Sequence, residues 1–95
     1  MKILAVCGNG LGSSLMLKIN IDSVVRELAI PYVEVNHCDL TSVASEKADL
    51  VVVTKDLASC VETSLPVIAL SSIMSKMELK EKLGHFFTSK ENSND

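Results

Sequence analysis

Apolar and polar positions follow two alternating rhythms along this chain. Lys2 to Val6 (KILAV) is a short continuous apolar run behind one cation, the pattern of a strand covered on both faces. From Ser13 to Ala29 the apolar residues Leu17, Ile21, Val24, Val25 and Leu28 recur at helical spacing, which predicts a helix with one buried face. Asp22 and Arg26 stand four apart on its outer side, and Pro31 ends the pattern because its ring forbids continuation. Tyr32 to Asn36 alternates as a second strand, and Thr41 to Lys47 reads as a short helix capped by Thr41 or Ser42. Leu50 to Thr54 (LVVVT) is the strongest strand run. Lys55 to Glu62 reads as a short helix, Pro66 to Leu70 (PVIAL) as the fourth strand, and Ser75 to Phe87 as a terminal helix using Met77, Leu79, Leu83, Phe86 and Phe87. Thr88 to Asp95 (TSKENSND) is polar and aperiodic, a tail expected to fray.

Strands alternating with helices specify the α/β class. Right-handed crossovers then give a four-stranded parallel sheet of order 2-1-3-4 with helices on both faces, a flavodoxin-like arrangement. Ligands of such sheets bind at the carboxyl ends of the strands beside the first one. Cys7 falls at that edge, and so do Asn36, His37 and Cys38, then Thr54, Lys55 and Asp56, then Ser71 and Ser72. Ninety-five residues supply one core, so residues 1–87 are read as a single domain and 88–95 as the polar tail.

Composition narrows the chemistry. The chain is 47% hydrophobic but only 3% aromatic, so Val, Ile, Leu, Ala and Met must fill the core and no large stacking surface is left for bases. A net charge of -3 without a basic run excludes binding along a nucleic-acid backbone. The apolar run before Cys7 is too short for a signal-peptide core, and none approaches a membrane span. A cytoplasmic protein that does not itself span the membrane is expected. The cysteines at 7, 38 and 60 make no CxxC pair, so neither a disulfide nor a metal site is expected, and the chemistry foreseen needs no cofactor.

Cys7 is followed by Gly8, Asn9, Gly10, Leu11, Gly12, Ser13 and Ser14. Three glycines in five positions let the backbone turn with its N–H groups inward, and Ser13 and Ser14 can cap the helix that follows. Free amides and the helix dipole attract anions, and a thiol held there is biased toward thiolate. The bland alternative makes Cys7 a small buried hydrophobe, the reading preferred for Cys38 and Cys60 as core or half-buried filler. A dinucleotide fingerprint fails because Ser13 stands where a third glycine belongs, and a Walker A loop fails because the first cation is Lys18. His37 reads as an exposed loop histidine or a phosphoryl contact, His85 as helix surface, Lys55 as a solvated or loop-facing cation, and Met74 and Met77 as packing.

Two families share a cysteine at the end of a first parallel strand. The scaffold resembles the low-molecular-weight tyrosine phosphatases, but their loop arginine position is Ser13 here and no Asp-Pro pair supplies their acid. Without a guanidinium and an acid, ester hydrolysis loses its main electrostatic help. Cys7-Gly8-Asn9-Gly10-Leu11-Gly12-Ser13-Ser14 after KILAV instead resembles the phosphocysteine loop of enzyme IIB components of bacterial sugar phosphotransferase systems, the ascorbate type of the lactose/ascorbate superfamily above all. That resemblance implies that Cys7 accepts a phosphoryl group from a phosphohistidine on a IIA protein and passes it to a sugar held by the membrane component IIC. It further implies that Gly8, Asn9, Gly10, Leu11, Gly12, Ser13 and Ser14 cradle the phosphate, and that the protein meets the inner face of the membrane transiently through IIC. Leu11, Leu15 and Met16 would then belong to a docking face, with the core an equal reading for Leu15 and Met16. A cysteine phosphatase or arsenate-reductase-like enzyme and a non-catalytic anion-binding regulatory domain stand as the alternatives.

Overall fold

The computed structural model describes residues 1–7, 11–61, 63–72 and 74–92. Its elements run β1 (Lys2–Cys7), α1 (Leu11–Glu27), β2 (Glu34–Asp39), a 3-10 segment (Leu40–Ser45), β3 (Leu50–Thr54), α2 (Lys55–Ala58), β4 (Val67–Leu70) and α3 (Lys76–Asn92). The strands form one four-stranded sheet of order β2-β1-β3-β4, with every pairing parallel. The α/β architecture and strand order expected from the alternation are those observed.

β1 is the hinge of the core because its side chains alternate between two buried layers. Ile3, Leu4, Ala5 and Val6 are fully buried. Ile3 and Ala5 join Leu17, Ile21 and Val24 of α1 and Leu79 and Leu83 of α3 on one side. Leu4 and Val6 join Cys38, Val43, Val51 and Val53 on the other, with Leu57 and Ala58 of α2 packed against them. Helical cladding thus covers both faces, thickly on the first and thinly on the second. Lys76 ties the two long helices together, donating to Ser23 Oγ at 2.7 Å and pairing with Glu27 at 3.7 Å.

Several boundaries differ from the sequence expectation, each for a local reason. α1 begins at Leu11 rather than Ser13 and ends at Glu27. Its stop is set before Pro31 by Ala29, which takes the left-handed conformation at φ 54. Ala29 N donates to Arg26 O at 3.1 Å and Ile30 N to Val25 O at 3.2 Å, the paired bonds of a Schellman turn with alanine where glycine is usual. On the outer face of α1, Asp22 bonds Lys18 at 3.1 Å, so its helix partner lies one turn before it.

β2 lies at Glu34–Asp39 rather than Tyr32–Asn36 because β1 dictates where pairing can begin. Glu34 N donates to Met1 O at 2.8 Å, and the register then runs from Lys2 opposite Glu34 to Cys7 opposite Asp39. Tyr32, at φ 60, is still in the turn, its carbonyl accepting the Met1 amino group at 2.9 Å. The expected helix over 41–47 is a 3-10 segment starting at Leu40, and its cap is Asp39, not Thr41 or Ser42.

α2 is one turn long. Beyond it, Cys60 N reaches Leu57 O at 2.9 Å and Val61 N reaches Ala58 O at 3.4 Å, bonds of the tighter 3-10 type that close a helix rather than extend it. Glu62, the expected end of that helix, lies outside the described residues. α3 continues five residues past Phe87, from Thr88 to Asn92. No glycine or proline stands there to break the backbone ladder, so a polar, aperiodic composition does not end the helix. Residues 93–95 of the expected tail lie outside the described residues.

Candidate functional site

The carboxyl edge of the sheet is assembled from strand ends. Cys7 is the last residue of β1, the inner strand between β2 and β3. Its backbone is fixed by four fully buried residues immediately before it. Leu11 opens α1, so three residues join the strand to the helix. Those three, Gly8, Asn9 and Gly10, lie outside the described residues. Leu11, Gly12, Ser13 and Ser14 all fall in the first helical turn, which places Ser13 and Ser14 inside the helix instead of at its cap. The N–H groups of a first turn have no acceptor within the helix and carry the positive end of its dipole.

Charge at the helix starts is uneven. The first turn of α1 holds no acidic residue, whereas α2 has Asp56 and α3 has Glu78 in the equivalent turn. Glu78 accepts from Ser71 N at 2.9 Å and Ser71 Oγ at 3.1 Å. These bonds, with Lys82 beside it, hold its carboxyl below the usual carboxylate range. Among the described residues, two of the three α-helices therefore begin with a carboxylate that offsets their own dipole. α1, the helix nearest Cys7 in the chain, begins without one.

The other residues singled out from the sequence separate into groups. His37 does not sit at the edge with Cys7. It is half-buried within β2, opposite Ala5, and Asp39, two residues on, holds the position opposite Cys7. Cys38 is buried filler, its thiol pushed up to about 11 by burial and by the charges of Glu46 and Asp39. Cys60 is an exposed thiol rather than half-buried filler. Met74 and Met77 are 62% and 86% exposed, so neither packs as expected. Leu15 and Met16 are each 45% exposed on α1, which resolves their two readings in favour of surface. Lys55 and the exposed His85 line a groove of about 610 Å³ with Val67, Ile68 and Phe86, at the β4 edge and separated from β1 by β3.

Sequence reasoning missed Asp39. The carboxylate accepts from Thr41 Oγ at 2.8 Å and Ser42 N at 2.9 Å, and these bonds keep its carboxyl below the usual range. The signal was present, since Asp three residues before Ser42 is the spacing of a helix cap, but a strand placed too early hid it.

Comparison with known proteins decides the family. The family described as "PTS system, Lactose/Cellobiose specific IIB subunit" matches residues 2–85. The chain belongs to this PTS IIB family. Among IIB relatives, the "Ascorbate-specific PTS system EIIB component" of Escherichia coli O157:H7 is 31% identical over 86 residues, covering 86% of this chain and 84% of that protein. The protein of the same description from Mycoplasma pneumoniae is 27% identical over 84 residues, covering 85% and 88%. As a PTS IIB protein the chain is a phosphotransferase-system component, built on the sheet described above. Among the described residues, no helix is long and apolar enough to cross a membrane.

Proposed function

We propose that this IIB protein is a phosphocysteine carrier. Cys7 accepts a phosphoryl group from a phosphohistidine of a IIA protein and delivers it to a sugar held by a membrane IIC component, as the likeness to ascorbate-specific EIIB components supports. The carrier works in the cytoplasm and meets the membrane's inner face through IIC. In the loading step the Cys7 thiolate attacks phosphorus, the P–N bond of the donor breaks and its electron pair stays on the imidazole. In delivery a sugar hydroxyl oxygen attacks phosphorus, the S–P bond breaks with its pair returning to sulfur, and the hydroxyl proton passes to solvent.

The observation that carries this reading is Cys7 directly after four fully buried strand residues, Ile3 to Val6, and separated by three residues from a helix whose first turn has no acidic residue. A phosphorylated side chain brings about -1.5 to -2 of charge at neutral pH. Main-chain N–H groups and a helix dipole stabilise that charge without an arginine clamp, which suits a group that must leave again. Gly8, Asn9, Gly10, Leu11, Gly12, Ser13 and Ser14 form the cradle in this proposal. Leu15 and Met16, exposed within the first two turns of α1, contribute to the face that meets IIA or IIC. Interfaces of this kind are small and transient.

The test is phosphorylation by a phosphorylated IIA protein followed by mass spectrometry. The expected result is a gain of one phosphoryl group on the Cys7 peptide, lost in Cys7→Ser, with the exposed Cys60 unlabelled. A gain that persists in Cys7→Ser, or one found on Cys60, overturns the proposal. Turnover of an aryl phosphate by the isolated chain would point instead to the phosphatase reading.

A further inference from the structure

Beside the proposed phosphoryl carrier stands a charge of the wrong sign for simple anion binding. β1 and β2 run parallel with Cys7 opposite Asp39, and neighbouring strands lie about 4.8 Å apart. The two residues are therefore nearest backbone neighbours across the sheet, both at the carboxyl edge. The Asp39 carboxylate is exposed and held by Thr41 Oγ at 2.8 Å and Ser42 N at 2.9 Å. Both donors are uncharged, so they fix the carboxylate without cancelling its charge.

The surrounding charges are engaged elsewhere. Glu46, following the 3-10 segment, pairs with Lys2 at 3.7 Å, and on α1 Lys18 pairs with Asp22 at 3.1 Å. His37, two residues before Asp39 on β2, lies opposite Ala5. Among the described residues no cation is in ion-pair contact with Asp39.

We infer that Asp39 is a positioning residue acting through Cys7, whose fixed negative charge weakens the site's hold on the phosphoryl group and keeps that group transferable. The inference rests on the phosphocysteine reading above. A phosphorylated cysteine carries roughly one more negative charge than the thiolate it replaces, so a neighbouring carboxylate raises the loaded state more than the empty one. When the S–P bond breaks and its electron pair returns to sulfur, that repulsion is relieved. Helix-dipole attraction loads the carrier, and Asp39 prevents it from becoming a trap. Asp39 also caps the 3-10 segment, and charge and cap can be separated because asparagine keeps a side-chain acceptor and caps as well as aspartate.

The experiment compares the full chain with Asp39→Asn, Asp39→Glu and Asp39→Ala, each equilibrated with phosphorylated IIA protein at fixed ratio, and reads the phosphorylated fraction of Cys7. At low salt Asp39→Asn is expected to raise the ratio of loaded to empty carrier about threefold, the scale of one exposed charge at such separation. High salt should shrink the difference, and Asp39→Glu should restore the wild-type ratio. Asp39→Ala should also load more fully but lose thermal stability, which Asp39→Asn should keep. An unchanged ratio in Asp39→Asn while wild-type Cys7 is phosphorylated overturns this inference alone. Failure of wild-type Cys7 to take the group overturns both it and the function it rests on.

Discussion

The two faces of the sheet are built to different standards. On one side, α1 and α3, each of 17 residues, cover a core that includes Leu17, Ile21, Val24, Leu79 and Leu83. On the other, a 3-10 segment of six residues and a helix of four cover a smaller core around Val43, Val51 and Val53. The thick face supplies most of the buried apolar area, and with it most of the hydrophobic stabilisation. On the thin side, the 3-10 segment begins beside Asp39 and meets the edge that carries Cys7. β1 belongs to both faces, so the position of Cys7 draws on the stability of one and the short connections of the other.

The sharpest way to break this comparison is to cut equally buried side chains on each face. Leu79→Ala, on the thick face and fully buried, should cost about 2–5 kcal/mol from lost burial plus the cavity left behind. Val43→Ala, 2% exposed on the thin face, removes two buried carbons and should cost about 1.5 kcal/mol. Urea midpoints at constant slope would measure both. A larger loss for Val43→Ala would reverse the ranking of the faces.

A smaller effect, confined to the thin face, comes from Cys38. Its thiol is raised from 9.0 to about 11 in the fold, by burial first and then by Glu46 and Asp39. The folded state thus holds a proton that the unfolded chain releases, so stability is full below pH 9 and falls as pH rises from 9 toward 11. Cys38→Ala should flatten that slope, read as thermal midpoint against pH. A wild-type midpoint that does not fall across this range would contradict it.

The smallest effect is a gain on the thick face. Gly84 sits within α3, and a Cβ added there meets nothing within 4 Å. A shallow cleft of about 170 Å³ beside it is bounded by Leu28, Ile30 and Phe87. Gly84→Ala should stabilise the protein by about 0.5–1 kcal/mol through backbone entropy, seen as a rise of several degrees in thermal midpoint. A fall would mean that α3 depends on the glycine in a way its surroundings do not explain.

The same division shows how far the sequence could be read. Long elements with a clear rhythm were legible: LVVVT is β3 to the residue, and the apolar spacing picks out Leu17, Ile21, Val24 and Val25 of α1 and Leu79 and Leu83 of α3, all buried, while Met77 on the same pattern is exposed. Short elements on the thin side were not. Nothing in Tyr32 to Asn36 reveals that pairing must wait for β1 to begin at Lys2, so the alternation sets β2 too early in the chain and leaves Asp39 outside it. α2 is a single turn, too short for a period to register. At the candidate site, the composition of residues 7–14 carries the expectation of an anion cradle, and Gly8, Asn9 and Gly10 within it lie outside the described residues. The register that sets Asp39 against Cys7 depends on two strands far apart in the chain, and no local pattern encodes it.

Among the described residues β4 is an outer strand with a neighbour on one side only, and the Lys82 ammonium of α3 donates to the Ala69 carbonyl there. Such margins invite another chain to continue the sheet, and a lysine laid across the margin discourages it. For a phosphotransferase-system component of this size, a plugged margin keeps copies of the chain from adhering to one another edge to edge.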